Sequence, residues 1–226
     1  AGDPPPPPNA ETFPLTHLWF LYVLLFFYVI ALVLRGFVRL IDGKGVLRGR
    51  VVDPIVRFMT GPIAPVLLAI PMALALFFTP NWYAWFGIPT PDTGLVPNAT
   101  ALICYGFAFG LGWLIHRQPN IFESWGRWWL AYVGPATGAT IIALMMLGLT
   151  PNLEGPAVQD WRMANYALIY AFACWAWTVV IIGFAVRHLA GPSPARRYLA
   201  DASYWIYIVH IPIVMALHAL FAPYAW

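Results

Sequence analysis

The stretch T-H-L-W-F-L-Y-V-L-L-F-F-Y-V-I-A-L-V-L, Thr16–Leu34, contains no aspartate, glutamate, lysine or arginine. As a helix rising 1.5 Å per residue it reaches about 28 Å, close to the roughly 30 Å hydrocarbon core of a bilayer. A run this long and apolar on every side is no surface helix of a soluble domain, and it reads as a membrane span. The whole chain agrees: 61% of its residues are hydrophobic and 9% charged, with a mean hydropathy of +0.71. Soluble domains carry roughly 25% charged residues.

Working outward, five more apolar segments are long enough to cross: Pro62–Phe78, Ala99–Ile115, Trp128–Leu149, Ala164–Val186 and Ala202–Phe221. The fold class is therefore all-α, a polytopic membrane helical bundle with six transmembrane helices over residues 16–226. Pro65 and Pro71 predict a kink in the second span. Ahead of the bundle, residues 1–15 hold five consecutive prolines, Pro4–Pro8, and read as a stiff, extended, disordered linker.

The charges orient the bundle. Arg35, Arg39, Lys44, Arg48, Arg50 and Arg57 follow the first span, Arg117 and Arg127 the third, and Arg187, Arg196 and Arg197 the fifth. The even-numbered connections hold Arg162 alone. The positive-inside rule puts the odd connections in the cytosol and both chain ends, linker included, outside. Trp82, Tyr83, Trp85 and Phe86 then fall at the outer interface, where aromatic rings favour headgroup depth. The basic pI near 9.0 follows from this topology; no basic patch for nucleic acid is present.

Chemistry enters mainly through R-R-Y-L-A-D-A-S-Y-W-I-Y-I-V-H-I-P, Arg196–Pro212. On a helix Ser203, Tyr207 and His210 fall within about 60° of one another, so a hydroxyl, a phenol and an imidazole share a stripe. An imidazole there serves as a base or as a hydrogen-bond anchor to a neighbouring helix. Arg196, Arg197 and the Arg35–Arg57 cluster are candidates for the phosphates of an anionic cytosolic ligand, although topology already accounts for them. At the other end of the chain, His17 and Trp19 open the first span, with Trp19 suited to interfacial anchoring. Small residues at Gly106 and Gly110, and at Gly134 and Gly138, suit close helix packing. Neither Cys104 nor Cys174 has the spacing of a disulfide or zinc site, so no metal is expected.

Two of these stretches, T-H-L-W-F-L-Y-V-L-L at Thr16–Leu25 and A-S-Y-W-I-Y-I-V-H-I-P at Ala202–Pro212, together resemble the integral-membrane acyltransferases called acyltransferase 3. The likeness is greatest to the branch containing the periplasmic glucan succinylation protein. It implies an O-acyltransferase of the bacterial cytoplasmic (inner) membrane, with no bound cofactor. Such an enzyme takes an acyl group from a cytosolic donor, typically acyl-CoA, and moves it to a hydroxyl of an envelope carbohydrate. Its partners would be membrane lipid, acyl-CoA and a glycan acceptor. The resemblance implies three spans ahead of residue 1, the first bearing the family's catalytic histidine, and one span after Trp226. A chain without that histidine is expected to be inactive alone. Within this chain it implies pocket-lining or donor-binding roles for His17, Trp19, Ser203 and Tyr207, and leaves His210 as the candidate secondary base. The alternative class is a six-helix transporter or export subunit for an envelope glycan or lipid. The lack of intramembrane acids argues against ion coupling there.

Overall fold

The structure, a computed structural model, describes residues 13, 15–148, 150 and 159–222 of the 226-residue chain. Prolines 4–8 of the linker and Leu149 of the fourth segment lie outside the described residues. Seven α-helices follow in order: α1 (Trp19–Ile41), α2 (Asp53–Met59), α3 (Ala64–Phe77), α4 (Ala99–Ile115), α5 (Asn120–Leu147), α6 (Trp161–Leu189) and α7 (Pro194–Phe221). No β-strand occurs among the described residues. Short 3₁₀ turns at Thr16–Leu18 and Ala84–Phe86 and a π-helical turn at Arg48–Val52 complete the set. The fold is an all-α membrane bundle.

Helices α1, α5, α6 and α7 are each long and apolar enough to span, while α4 is a shorter apolar helix of 17 residues. The second segment departs from the single kinked span that its prolines predict. Its helix, α3, has 14 residues, about 21 Å, short of the hydrocarbon thickness. The chain from Arg48 to Met59 is also helical and meets α3 at a 96° bend. Neither Pro65 nor Pro71 makes this bend. Pro65 sits in the first turn of α3, where a missing N–H costs nothing, and the helix continues through Pro71. The break falls at Thr60-Gly61-Pro62-Ile63, where Pro62 cannot extend the ladder of α2.

A break in a helix frees backbone carbonyls from the ladder, and other groups satisfy them where they are buried. Helix α5 supplies two donors. Trp125 Nε1 donates to the Thr60 carbonyl at 2.9 Å, and the Tyr132 hydroxyl donates to the Pro62 carbonyl at 2.5 Å.

Several helices run past the edges of their apolar runs. Hydropathy marks where lipid ends, whereas the hydrogen-bond ladder persists into the interface. Helix α1 continues to Ile41 and so carries Arg35 and Arg39, α5 starts eight residues early, and α7 starts at Pro194.

Helix α6 is the spine, lying against α5 along its length and against α3. Its buried face sets small residues, Ala167, Ala171, Ala173, Ala176 and Gly183, among the larger Tyr166, Trp175, Val179 and Val180. Without a hydrophobic force between helices in lipid, close backbone approach and van der Waals contact hold such pairs. The tightest approach is at Gly183, where a Cβ would lie 2.5 Å from the Trp125 carbonyl oxygen and 2.7 Å from Trp129 Cβ. The glycines singled out from sequence fare unevenly. Gly106 admits the Phe27 ring at 3.1 Å from a built Cβ, but Gly110, Gly134 and Gly138 have nothing within 4 Å. Spacing alone does not say which face meets a neighbour.

The hydrogen bonds between connections are those that alternating crossing requires. Asp53 accepts from Arg117 Nη2 at 3.1 Å, joining the first connection to the third. The Leu15 and Thr16 N–H groups donate to the Asp92 carbonyl at 2.9 and 3.0 Å, joining the chain start to the second connection. Gln159 Nε2 donates to the Phe77 carbonyl at 3.1 Å, joining the fourth connection to the end of α3.

Gly183→Val should destabilise the α5–α6 pair by about 2 kcal/mol or more, since the clash is with backbone. Gly138→Ala should change stability by less than about 0.5 kcal/mol. Thermal unfolding of both variants in detergent, beside wild type, measures the difference.

Candidate functional site

Helix α7 begins with Ser193 as its cap, the Oγ accepting from the Arg196 N–H at 3.4 Å, and with Pro194 in its first turn. Arg196 and Arg197 therefore lie on the helix itself, not in the connection before it. Arg196 Nη2 donates to the Gly191 carbonyl at 2.5 Å, and Arg197 stands 4.0 Å from Asp201 as an exposed pair. Arg197 precedes Tyr207 by ten residues, about 15 Å along the axis, so the arginines do not join the stripe.

His210 is sixteen residues past Pro194, about 24 Å, which places it near the middle of α7 rather than close to its start. Tyr207 and His210 are half-buried, their rings 5.5 Å apart. His210 Nδ1 lies 2.5 Å from the Tyr207 carbonyl oxygen. That oxygen only accepts, so Nδ1 carries the hydrogen, and in a neutral imidazole Nε2 then carries the basic lone pair. Ser203 shares the stripe but turns back on its own helix, donating to the Ala200 carbonyl at 2.7 Å.

The stripe meets α1 through Tyr207. Its ring packs on Phe20 at 5.7 Å, and its hydroxyl is in hydrogen-bonding contact with the Phe20 backbone. Phe20 in turn stands edge-on to Trp19 at 6.0 Å, and Trp19 packs on Tyr105 of α4 at 5.5 Å. A ladder of rings thus runs His210, Tyr207, Phe20, Trp19, Tyr105, joining α7 to α1 and α4. Beside it, between α1 and α4, lies an apolar cleft of about 240 Å³ lined by Trp19, Phe20, Val23, Phe27, Tyr105 and Phe109. Phe20 and Tyr105 were not singled out from sequence. Phe20 sits inside the H-L-W-F-L motif and reads as one more lipid-facing ring, and Tyr105 is a lone tyrosine in an apolar run. The backbone of His17 lies in the turn Thr16–Leu18, and its side chain lies outside the described residues.

On the basic side, the corner after α1 is closed by Asp42. Its carboxylate accepts from the Leu47 and Arg48 N–H groups at 3.1 and 2.9 Å and from Arg48 Nε at 3.1 Å. Arg48 is thereby committed, and Arg57 Nε donates to Gln118 at 3.4 Å. No group of three or more His, Cys, Asp or Glu side chains that could hold a metal comes together among the described residues.

The backbone hydrogen bond from Arg48 is the main cause holding Asp42 below its ordinary carboxylate value, with burial opposing it. A depressed carboxylate contributes stability above its unfolded pKa, near 4, and loses it as pH falls through the folded value. Amide protection at Leu47 and Arg48 should hold from neutral pH down to about 4 and fall below that. In Asp42→Asn it should be lower and nearly flat, as read by hydrogen exchange.

The comparisons with known proteins bear on the whole chain. The family model for acyltransferase 3, described as an acyltransferase domain, matches residues 2–226. No curated protein and no solved structure matches. With nearly its full length matched by the family model and the helices of a multi-pass bundle, this chain belongs to the acyltransferase 3 family of membrane acyltransferases.

Proposed function

We propose that this membrane acyltransferase works in the bacterial cytoplasmic membrane, moving an acyl group from cytosolic acyl-CoA to a hydroxyl of an envelope or extracellular carbohydrate. The observation that carries the reading is the seating of His210. It lies half-buried near the middle of α7, its Nδ1 held by the Tyr207 carbonyl and its ring against that of Tyr207. With His210 as the secondary base, the acceptor hydroxyl gives its proton to the imidazole as its oxygen bonds to the thioester carbonyl carbon. The carbon–sulfur bond then breaks, and the departing coenzyme thiolate takes the proton back from the imidazolium.

Acyl-CoA as donor is supported by the charge asymmetry. The basic connections face the compartment that holds the coenzyme, and Arg35, Arg39, Lys44 and Arg50 make none of the ion pairs found among the described residues. Trp19, Tyr207 and Ser203 are proposed to line the pocket with His17, and Arg196 and Arg197 to attract donor phosphates from the cytosolic end of α7. A glucan acceptor is supported by the wording of the two motifs, T-H-L-W-F-L and A-S-Y-W-I-Y-I-V-H-I-P.

The test uses membranes carrying the full gene product, radiolabelled acetyl- or succinyl-CoA, and extracted envelope glycan. Label should appear in alkali-labile ester on the glycan, and His210→Ala should lower kcat by about 100-fold or more at equal protein level. Unchanged turnover in His210→Ala would sink the base role, and label that never leaves acyl-CoA would sink the donor.

A further inference from the structure

Residues 78–98, between α3 and α4, form the largest irregular connection among the described residues, and long structured loops in compact folds tend to carry function. This one is rigidly held. Trp82 is 3% exposed, its Nε1 donates to the Gly87 carbonyl at 2.7 Å, and its ring packs on Tyr166 at 5.7 Å. The Tyr166 hydroxyl donates to the Ala84 carbonyl at 3.3 Å. Gly87 has φ 69°, a left-handed conformation that suits glycine, and a Cβ there would run into the Tyr170 hydroxyl. Asn98 caps α4, accepting from the Ala101 N–H at 2.7 Å, and Tyr22 of α1 donates to the Leu95 carbonyl at 2.6 Å. Thr79 spends its hydroxyl hydrogen on the Ala75 carbonyl, so Thr100 is the donor in the 2.6 Å contact between the two threonines.

This frame borders an open cleft of about 530 Å³, lined by Asn81, Tyr83, Phe86, Thr90 and Asn98 among others, with no charged residue among its lining residues. Ligand pockets fall at roughly 300–1,000 Å³ and combine apolar surface with a few placed polar groups. Tyr83 and Phe86 are exposed at its mouth. A wall without charge offers nothing to a phosphate or carboxylate, whereas aromatic faces with amides and hydroxyls match a neutral ring with an apolar C–H face and a hydroxyl rim. Rings that only anchor a protein at headgroup depth need no hydrogen-bonded frame holding amides and hydroxyls beside them. The loop is bonded to the chain start at Leu15 and Thr16. From Thr100 in the pocket wall, five residues of α4, about 7.5 Å, lead to Tyr105 at the end of the aromatic ladder.

We propose that this pocket binds a neutral carbohydrate, the acceptor, with Tyr83 and Phe86 stacking on a sugar ring and Asn81 and Thr90 bonding its hydroxyls. The proposal rests on the acyl transfer to carbohydrate argued above and names where the acceptor is held.

Full-length protein in nanodiscs is titrated with laminarihexaose and maltohexaose as neutral probes and with oligogalacturonate as a charged one, followed by saturation-transfer NMR. A neutral hexaose should bind and oligogalacturonate should not. Phe86→Ala and Tyr83→Ala should weaken binding about tenfold, Phe86→Trp should restore it, and His210→Ala should leave it unchanged. In the transfer assay Phe86→Ala should raise KM for glycan and preserve kcat. Absence of hexaose binding, or binding indifferent to both Phe86→Ala and Tyr83→Ala, overturns the site. Acyl transfer with an unaltered glycan KM in Phe86→Ala also overturns the site while the transferase reading stands. Hexaose binding lost in Phe86→Ala, in a protein that moves no acyl group to carbohydrate, keeps the site and overturns that reading instead.

Discussion

Close backbone approach of α5 and α6 is the constraint on which the rest of the bundle depends. In lipid the helices gain nothing by hiding apolar surface from one another, so contact has to come from shape. Gly183 supplies the shape by leaving room for the Trp125 carbonyl and the Trp129 side chain. The consequence reaches beyond this pair, because the same stretch of α5 carries the two donors that satisfy the break between α2 and α3. Move α5 outward by a methyl group and the carbonyls of Thr60 and Pro62 lose these partners, the buried Thr60 carbonyl at the greater cost. A glycine on α6 thus holds together a bend on the other side of α5.

The fold class was legible because hydrophobic length is a nearly sufficient signal in a bilayer, and Thr16–Leu34 alone carries it. Less legible was the second span, where sequence pointed to Pro65 and Pro71 as kinks. A proline in a first turn is harmless, and the α3 ladder tolerates one within, so the true break lies upstream at Pro62. Helix ends were misplaced for a different reason. Charged residues such as Arg39 and Arg197 end an apolar run without ending a helix, and apolarity was the only guide. The packing glycines show the same limit, since Gly134 and Gly183 look alike until the facing helix is known.

At the candidate site, the pairing of Tyr207 with His210 could be read from their three-residue spacing, which puts both on one stripe. What spacing could not give was the partner across the gap, because Phe20 is one aromatic among many in α1. Nor could it show that Ser203 would bond its own helix, since a hydroxyl in a span satisfies itself locally when no neighbour is within reach. The outer pocket was half visible. Its rings stood out as an interfacial cluster, but the fixed turn at Gly87 and the burial of Trp82, which turn a cluster into a cavity, are tertiary facts.

Helix α7 buries none of its residues within this chain and touches α1 chiefly through one tyrosine. The energy that keeps the α3–α5–α6 core folded therefore does not pass through it. Within these residues, side chains along α7 can change without disturbing that core.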